Sequence, residues 1–169
     1  WRKFEELFSE PSRNGLTRPK SVRGKGTKMV NMGEIFAHPR IWNIEMERVP
    51  VSDAELERFS LKEGDLLFAR QSLVHKGAGK CSIFLGDSET VVFESHLIRV
   101  RLDPTKADSL FYFYYFQSDY GKSAIRSIVE QGAGISGIRG SDLRALEVMW
   151  LPLPEQRAIA HILGTLDDK

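Results

Sequence analysis

Cysteine is almost missing from this chain. Cys81 is the only one in 169 residues, which excludes an intrachain disulfide and a zinc site built on a cysteine cluster. A reducing, cytoplasmic setting is the expectation. Histidine is scarce too. His38, His75, His96 and His161 lie in unrelated contexts without the paired spacing of metal ligands. They read as surface or packing residues, and no metal is expected. No apolar run approaches the roughly 18 residues of a membrane span, and no secretory leader is legible, so no membrane partner is expected.

Catalytic signatures are equally thin. "GAGISG" (132–137) matches G-x-G-x-x-G literally, but it follows a helical stretch and runs toward a strand. The dinucleotide fingerprint needs the reverse order within a βαβ unit, so the string reads as a shape-adapting loop. Ser136 lacks a G-x-S-x-G elbow because position 138 is isoleucine. No glycine-rich turn for S-adenosylmethionine and no Asn/Asp-Pro-Pro-aromatic tetrapeptide for base methylation is present. The site list therefore has no catalytic residue, and no cofactor is expected in this chain.

What is present is ordinary globular material: 41% hydrophobic and 28% charged residues, enough for one domain with a sizeable core. Net charge is only +1, yet it is unevenly spread. Residues 1–40 hold nine Lys/Arg against four Asp/Glu, whereas residues 41–69 hold three against seven. The excess concentrates in "RNGLTRPKSVRGKGTK" (13–28), with six cations and no acid. Local charge thus permits a polyanion partner that overall charge does not demand.

The spacing predicts an α+β fold. "WRKFEELF" (1–8) suits a short helix or an edge strand, and 13–28 a polar loop. "KMVNM" (28–32) reads as a strand. "SDAELERF" (52–59) carries a capping box between Ser52 and Glu55 and predicts a short helix. "DLLFAR" (65–70), "CSIFLG" (81–86), "TVVFE" (90–94) and "HLIRVRL" (96–102) predict strands of one twisted, mostly antiparallel sheet, the last half-exposed because it alternates apolar residues with arginine. Asp103 before Pro104 signals a helix start. An aromatic-rich helix follows over 107–131, open to a split at "DYGK" (119–122), with Leu110, Phe111, Tyr114 and Tyr115 on one stripe. A capped turn at 141 and a strand through Leu146, Val148 and Trp150 come next. "LPLPEQRAIAHILGTLDDK" (151–169) opens a helix on two prolines that separate it from the sheet. Its stripe of Ile159, Ile162, Leu163 and Leu166 suits packing against a partner helix. With Trp1 rather than Met at its start and a helix just begun at its end, the chain reads as an excised piece.

Binding is the remaining class. "ARQSLVHKGAGKCS" (69–82) sets Arg70, Gln71, His75, Lys76 and Lys80 in a glycine-flexed loop between strands. Arginine and glutamine can contact guanine and adenine edges bidentately, and lysines can neutralise phosphates. Arg18, Lys20, Arg23, Lys25 and Lys28 form a second cationic loop, and Ser136 and Arg139 flank the third glycine of "GAGISG". These twelve are the candidate DNA-binding residues, although loops of this composition are often only solvated surface.

The final stretch, "SGIRGSDLRALEVMWLPLPEQRAIAHILGTLDDK", resembles the end of a target recognition domain from the specificity subunit of type I restriction–modification systems. That family has a P-L-P-E-Q-x-x-I-A-x-x-L-x-x-L-D motif at the start of its long helix. Pro152, Leu153, Pro154, Glu155, Gln156, Ile159, Ala160, Leu163, Leu166 and Asp167 fall on it. Gly64 and Asp65 in "LKEGDLLFAR", "NMGEIF" (31–36), "YYFQSDYGKSAI" and "GISGI" (134–138) keep the family's order, so the resemblance spans nearly the whole chain. It implies residues 1–150 as a recognition domain and 151–169 as the start of a spacer and dimerisation helix. It also implies a non-catalytic reader of one half of a bipartite double-stranded DNA target. S-adenosylmethionine, ATP and Mg would belong to the modification and restriction subunits. A second recognition domain, or a second copy, would join through the spacer helix. The alternative is the same module fused to a single-chain methyltransferase–endonuclease.

Overall fold

Alternation of side chains along one central strand sets the layers. The computed structural model describes residues 1–73 and 77–168. The N-terminal part holds β1 (Arg2–Lys3), β2 (Arg13–Asn14), β3 (Thr27–Val30), α1 (Met32–Ala37), β4 (Arg40–Trp42), β5 (Arg48–Val49) and α2 (Asp53–Phe59). Then come β6 (Leu66–Ala69), β7 (Gln71–Ser72), β8 (Cys81–Gly86), β9 (Val91–Phe93) and β10 (Leu97–Val100). The remainder is α3 (Ser109–Gln117), α4 (Asp119–Ile128), β11 (Glu130–Gln131), β12 (Ser136–Gly137), α5 (Gly140–Ala145), β13 (Glu147–Val148) and α6 (Leu153–Asp167).

A five-stranded sheet in the order β2-β10-β6-β8-β4 runs through the middle. Leu66 and Phe68 of β6 join a core formed with α3, α4 and α5, whereas Leu67 and Ala69 join a second core beneath β3, β9, α1 and α2. Successive residues of a strand face opposite ways, so both sides of this strand are buried and it reads as a continuous apolar run.

The sheet departs from expectation in two respects. The strands between residues 28 and 102 do not form one sheet: β3, β5 and β9 make a separate three-stranded sheet. The β3–β9 and β4–β8 pairings are parallel, the rest antiparallel. The arginines of "HLIRVRL" are also not solvated. Arg99 is only 2% exposed, and Arg101 donates two bonds of 2.8 and 2.7 Å to the buried Asp65. The alternation assigned faces correctly, but the arginine face turns toward an internal ion cluster with Glu10.

Local signals fared better where they were self-contained. The Ser52–Glu55 capping box forms and starts α2 at Asp53. The aromatic helix does split, at Ser118, whose hydroxyl caps α4. Its packing is broader than one stripe, because Phe111, Tyr112, Phe113, Tyr115 and Phe116 are all buried while Leu110 and Tyr114 are half-buried. Asp103 starts no helix: it accepts from Thr105 N–H and hydroxyl in a turn, and Asp108 caps α3 instead. Residues 28–32 end as a strand at Val30, where Asn31 and Glu34 form a second capping box for α1.

The closing helix is not held apart from the domain. It docks on α3 through the buried Gln156 and Ala160, with Tyr114 donating to Asp167 at 2.8 Å. Gln156 is fully buried and accepts from Asp108 N–H at 2.8 Å while donating to the Leu151 carbonyl at 2.7 Å. Ile159, Ile162 and Leu166 remain exposed on the other face, and Leu163 is half-buried.

Candidate nucleic-acid interface

The turn between β9 and β10 is where the candidate loops meet. Leu16 N–H donates to the Phe93 carbonyl and Ser95 N–H to the Leu16 carbonyl, both at 2.8 Å, which fixes the 13–28 segment to this turn. From the other side Arg70 N–H donates to the His96 carbonyl at 2.8 Å, and Arg70 Nε to the Ser95 carbonyl at 3.2 Å. His96, half of whose side chain is exposed, pairs with Glu94 at 2.6 Å.

A small three-stranded sheet, β11-β12-β7, carries the second set. Gln71 pairs with Gly137 and Ser72 with Ser136, while β12 pairs on its other edge with β11. The "GAGISG" string is therefore the turn of a hairpin. Gly134 at φ +79° supplies the left-handed residue that the reversal requires, and Gly132 N–H donates to the Ile135 carbonyl at 2.8 Å.

The glycines of "GAGK" do not flex this loop. Gly77, Ala78 and Gly79 are buried. A Cβ on Gly79, which sits at φ +81°, would stand 2.2 Å from Ile125 of α4. The close approach anchors the loop's return to the core, and a Cβ on Gly77 would stand 2.1 Å from the Ser72 side chain, so β7 packs on the same return.

The twelve candidates separate by what their side chains already do. Arg18 is engaged internally: its guanidinium grips Glu55 at 2.6 Å and donates to the Pro50 and Thr17 carbonyls. Arg23 is tied to Asn31, Glu47 and the Arg18 carbonyl. Lys28 is buried and pairs with the fully buried carboxylate of Asp87 at 2.8 Å. Lys20 and Lys25 are exposed. Lys80 lies over the Phe36 ring and donates to the Phe36 carbonyl at 3.3 Å. Arg70 and Gln71 are half-buried, and Arg139 is exposed and pairs with Glu130 at 3.1 Å. Ser136 is buried and donates to the Ser72 carbonyl at 3.4 Å. His75 and Lys76 lie outside the described residues.

The structure adds residues that the sequence reading did not single out. Leu73 and Ile135 are large apolar side chains left exposed just past the β7–β12 pairing, and Gln131 lies on the β11–β12 hairpin. Only the β7–β12 pairing brings these two segments together, because some sixty residues separate them in sequence. Cys81 is buried, and burial pushes its thiol up, away from reactive thiolate. Among the described residues no cluster of three or more His, Cys, Asp or Glu could hold a metal ion, and no helix is long and apolar enough to cross a membrane.

The β11–β12 hairpin paired with β7 thus carries cationic and amide side chains on one small sheet. The chain belongs to the family of the type I restriction modification DNA specificity domain, whose family model matches residues 16–169. Over 161 residues it is 30% identical to the EcoKI specificity subunit of Escherichia coli K12, taking in 94% of this chain and 34% of that protein. Over 148 residues it is 26% identical to the StySPI specificity subunit of Salmonella potsdam, taking in 88% of this chain and 32% of that one. The chain thus spans about a third of the length of these curated relatives. Its fold is similar to the type I S subunit of M. genitalium, with TM-score 0.66 and 19% identity over 99% of this chain and 38% of that one. It is likewise similar to HsdS of Thermoanaerobacter tengcongensis, with TM-score 0.65 and 15% identity over 98% and 36%.

Proposed function

We propose that residues 1–150 are a target recognition domain that reads one half of a bipartite DNA sequence, and that residues 151–169 begin the spacer helix of a type I specificity subunit. The family match over residues 16–169 carries this reading. The geometry supports it: Arg70, Gln71, Lys80 and Arg139 gather on one edge, anchored through buried glycines and the β9–β10 turn. Cations there position the domain on phosphates, and side chains on the hairpin reach base edges in a groove wide enough for a β-ribbon. Lys20 and Lys25 supply further phosphate contacts, whereas Arg18, Arg23 and Lys28 act on DNA indirectly by holding their loop in place.

The domain has no chemistry of its own in this account. S-adenosylmethionine serves the modification subunits, and ATP and Mg serve the restriction subunit, all in the cytoplasm. The exposed Ile159, Ile162 and Leu166 stripe is the seam for a second helix, from another recognition domain or a second copy. The relatives named above are specificity subunits, which favours this arrangement over a single-chain methyltransferase–endonuclease. Selection of bound duplexes from a random library tests the reading. Enrichment of a short fixed motif is expected, and recovery without any sequence bias would overturn it.

A further inference from the structure

The outward face of the small sheet holds an apolar pair that a purely hydrogen-bonding reader does not need. Leu73 follows the paired Ser72 and Ile135 precedes the paired Ser136, so both lie at the same end of the β7–β12 pairing. Ser72 and Ser136 are buried, whereas Leu73 and Ile135 beyond them are exposed and Gln71 is half-buried. Leu73 is 83% exposed and Ile135 46%. Side chains of this size in open solvent at one end of a pairing mark a contact surface rather than core.

Three features say what covers them. Gly137, paired with Gln71 on one side and Glu130 on the other, puts no side chain between them. Cations lie at its margins: Arg139 two residues past β12, Arg70 next to Gln71, and Lys80 where the chain returns to β8. Glu130 shares the face but is paired with Arg139. A small apolar centre with one amide and a cationic rim matches a DNA major groove better than a protein surface. The only apolar group on the major-groove edge of the bases is the thymine 5-methyl.

We propose that Leu73 and Ile135 read thymine by its 5-methyl group, with Gln71 hydrogen-bonding a base edge alongside. This rests on the reading of the domain as a sequence-specific DNA binder and adds the chemistry of one recognised position. The apolar pair removes the methyl from water, and replacing thymine by uracil deletes that group while leaving every hydrogen-bonding atom in place.

The test uses the duplex selected by the whole chain, with each thymine replaced in turn by deoxyuridine. Burial of one methyl predicts that a single thymine, or two adjacent ones, loses about threefold to tenfold in affinity on replacement, with all others neutral. In Leu73→Ala/Ile135→Ala, whose changed side chains are exposed, the melting temperature stays put and uracil and thymine bind alike at that position. Arg139→Ala should weaken binding while keeping the methyl effect, which separates loss of contact from loss of methyl reading.

Uniform tolerance of uracil by the unaltered chain would overturn the proposal, as would a methyl effect that survives in the double variant. A rise in 2-aminopurine fluorescence at the facing step, with uracil neutral, would also overturn it, since it would make the pair an unstacking wedge. Double variants that bind DNA normally but fail to join a partner subunit would turn the patch into a protein contact. Absence of any selected motif would instead strike the functional reading itself, and is distinguishable because it appears before any uracil is introduced.

Discussion

Ser72 and Ser136, 64 residues apart in sequence, sit opposite one another in antiparallel register, and the Ser136 hydroxyl donates to the Ser72 carbonyl at 3.4 Å. This pairing brings two separate glycine-containing segments into one small sheet. It depends on the Gly134 turn, where a Cβ would meet nothing within 4 Å but would have to adopt φ +79°. Gly134→Val therefore acts through backbone strain alone, at a cost of roughly 1–2 kcal/mol. The hairpin tip should loosen while the two cores stay intact. A melting temperature lowered by about 2–8 °C with a relaxed selected motif is expected, and an unchanged motif would separate the hairpin from recognition.

Gln156 ties the closing helix to the domain with both ends of its amide. Gln156→Leu keeps the volume and orphans the Asp108 N–H and the Leu151 carbonyl, each costing about 1–3 kcal/mol when buried unpaired. The urea midpoint should fall with little change in slope. An unaltered midpoint would mean that α6 is not cooperative with the rest.

The opposite face of that helix should behave differently. Ile159→Ser, Ile162→Ser and Leu166→Ser together remove exposed side chains and should cost no more than about 1–2 kcal/mol through helix propensity. In a complete specificity subunit the same triple change should abolish modification by blocking assembly. Normal modification would remove the spacer role from this stripe.

Glu55 predicts a pH effect with a definite sign. The Arg18 guanidinium beside it, helped by the Ser52 N–H, holds its carboxyl down at about 2 rather than 4.5. A carboxylate depressed on folding stabilises the native state above its unfolded pKa, and that contribution is lost as pH falls from about 4.5 toward 2. Arg18→Met should return the Glu55 titration toward the ordinary carboxylate range in an NMR titration. It should also move acid unfolding to higher pH. A Glu55 titration that does not move would contradict the internal role given to Arg18.

What could be read from the sequence was local. The Ser52–Glu55 box and the "CSIFLG" strand are complete within a few residues, so nothing distant could override them. The same capping signature at Asn31 and Glu34 was legible but short, in a stretch read as strand. Strand partition into separate sheets was not legible, because β3 meets β9, and β7 meets β12, across some sixty residues. Candidate residues divided the same way. Positive charge marked the loops, but the acids that occupy Arg18, Arg23 and Lys28 lie 37, 24 and 59 residues away. Composition cannot show which cations are already paired. Leu73 and Ile135 carried no signal at all, since an isolated apolar residue in a loop looks the same whether it is buried or offered to a ligand.

The central claim is that this chain reads half of a split DNA target. The most direct measurement grafts residues 1–150 into a complete specificity subunit of known target, supplies its modification subunit in cells and maps methylated adenines across the genome. The account predicts that one half of the split target changes to a new sequence while the other half and the presence of methylation are retained. Methylation persisting at the original target on both sides would contradict it, because sequence reading would then lie outside this domain.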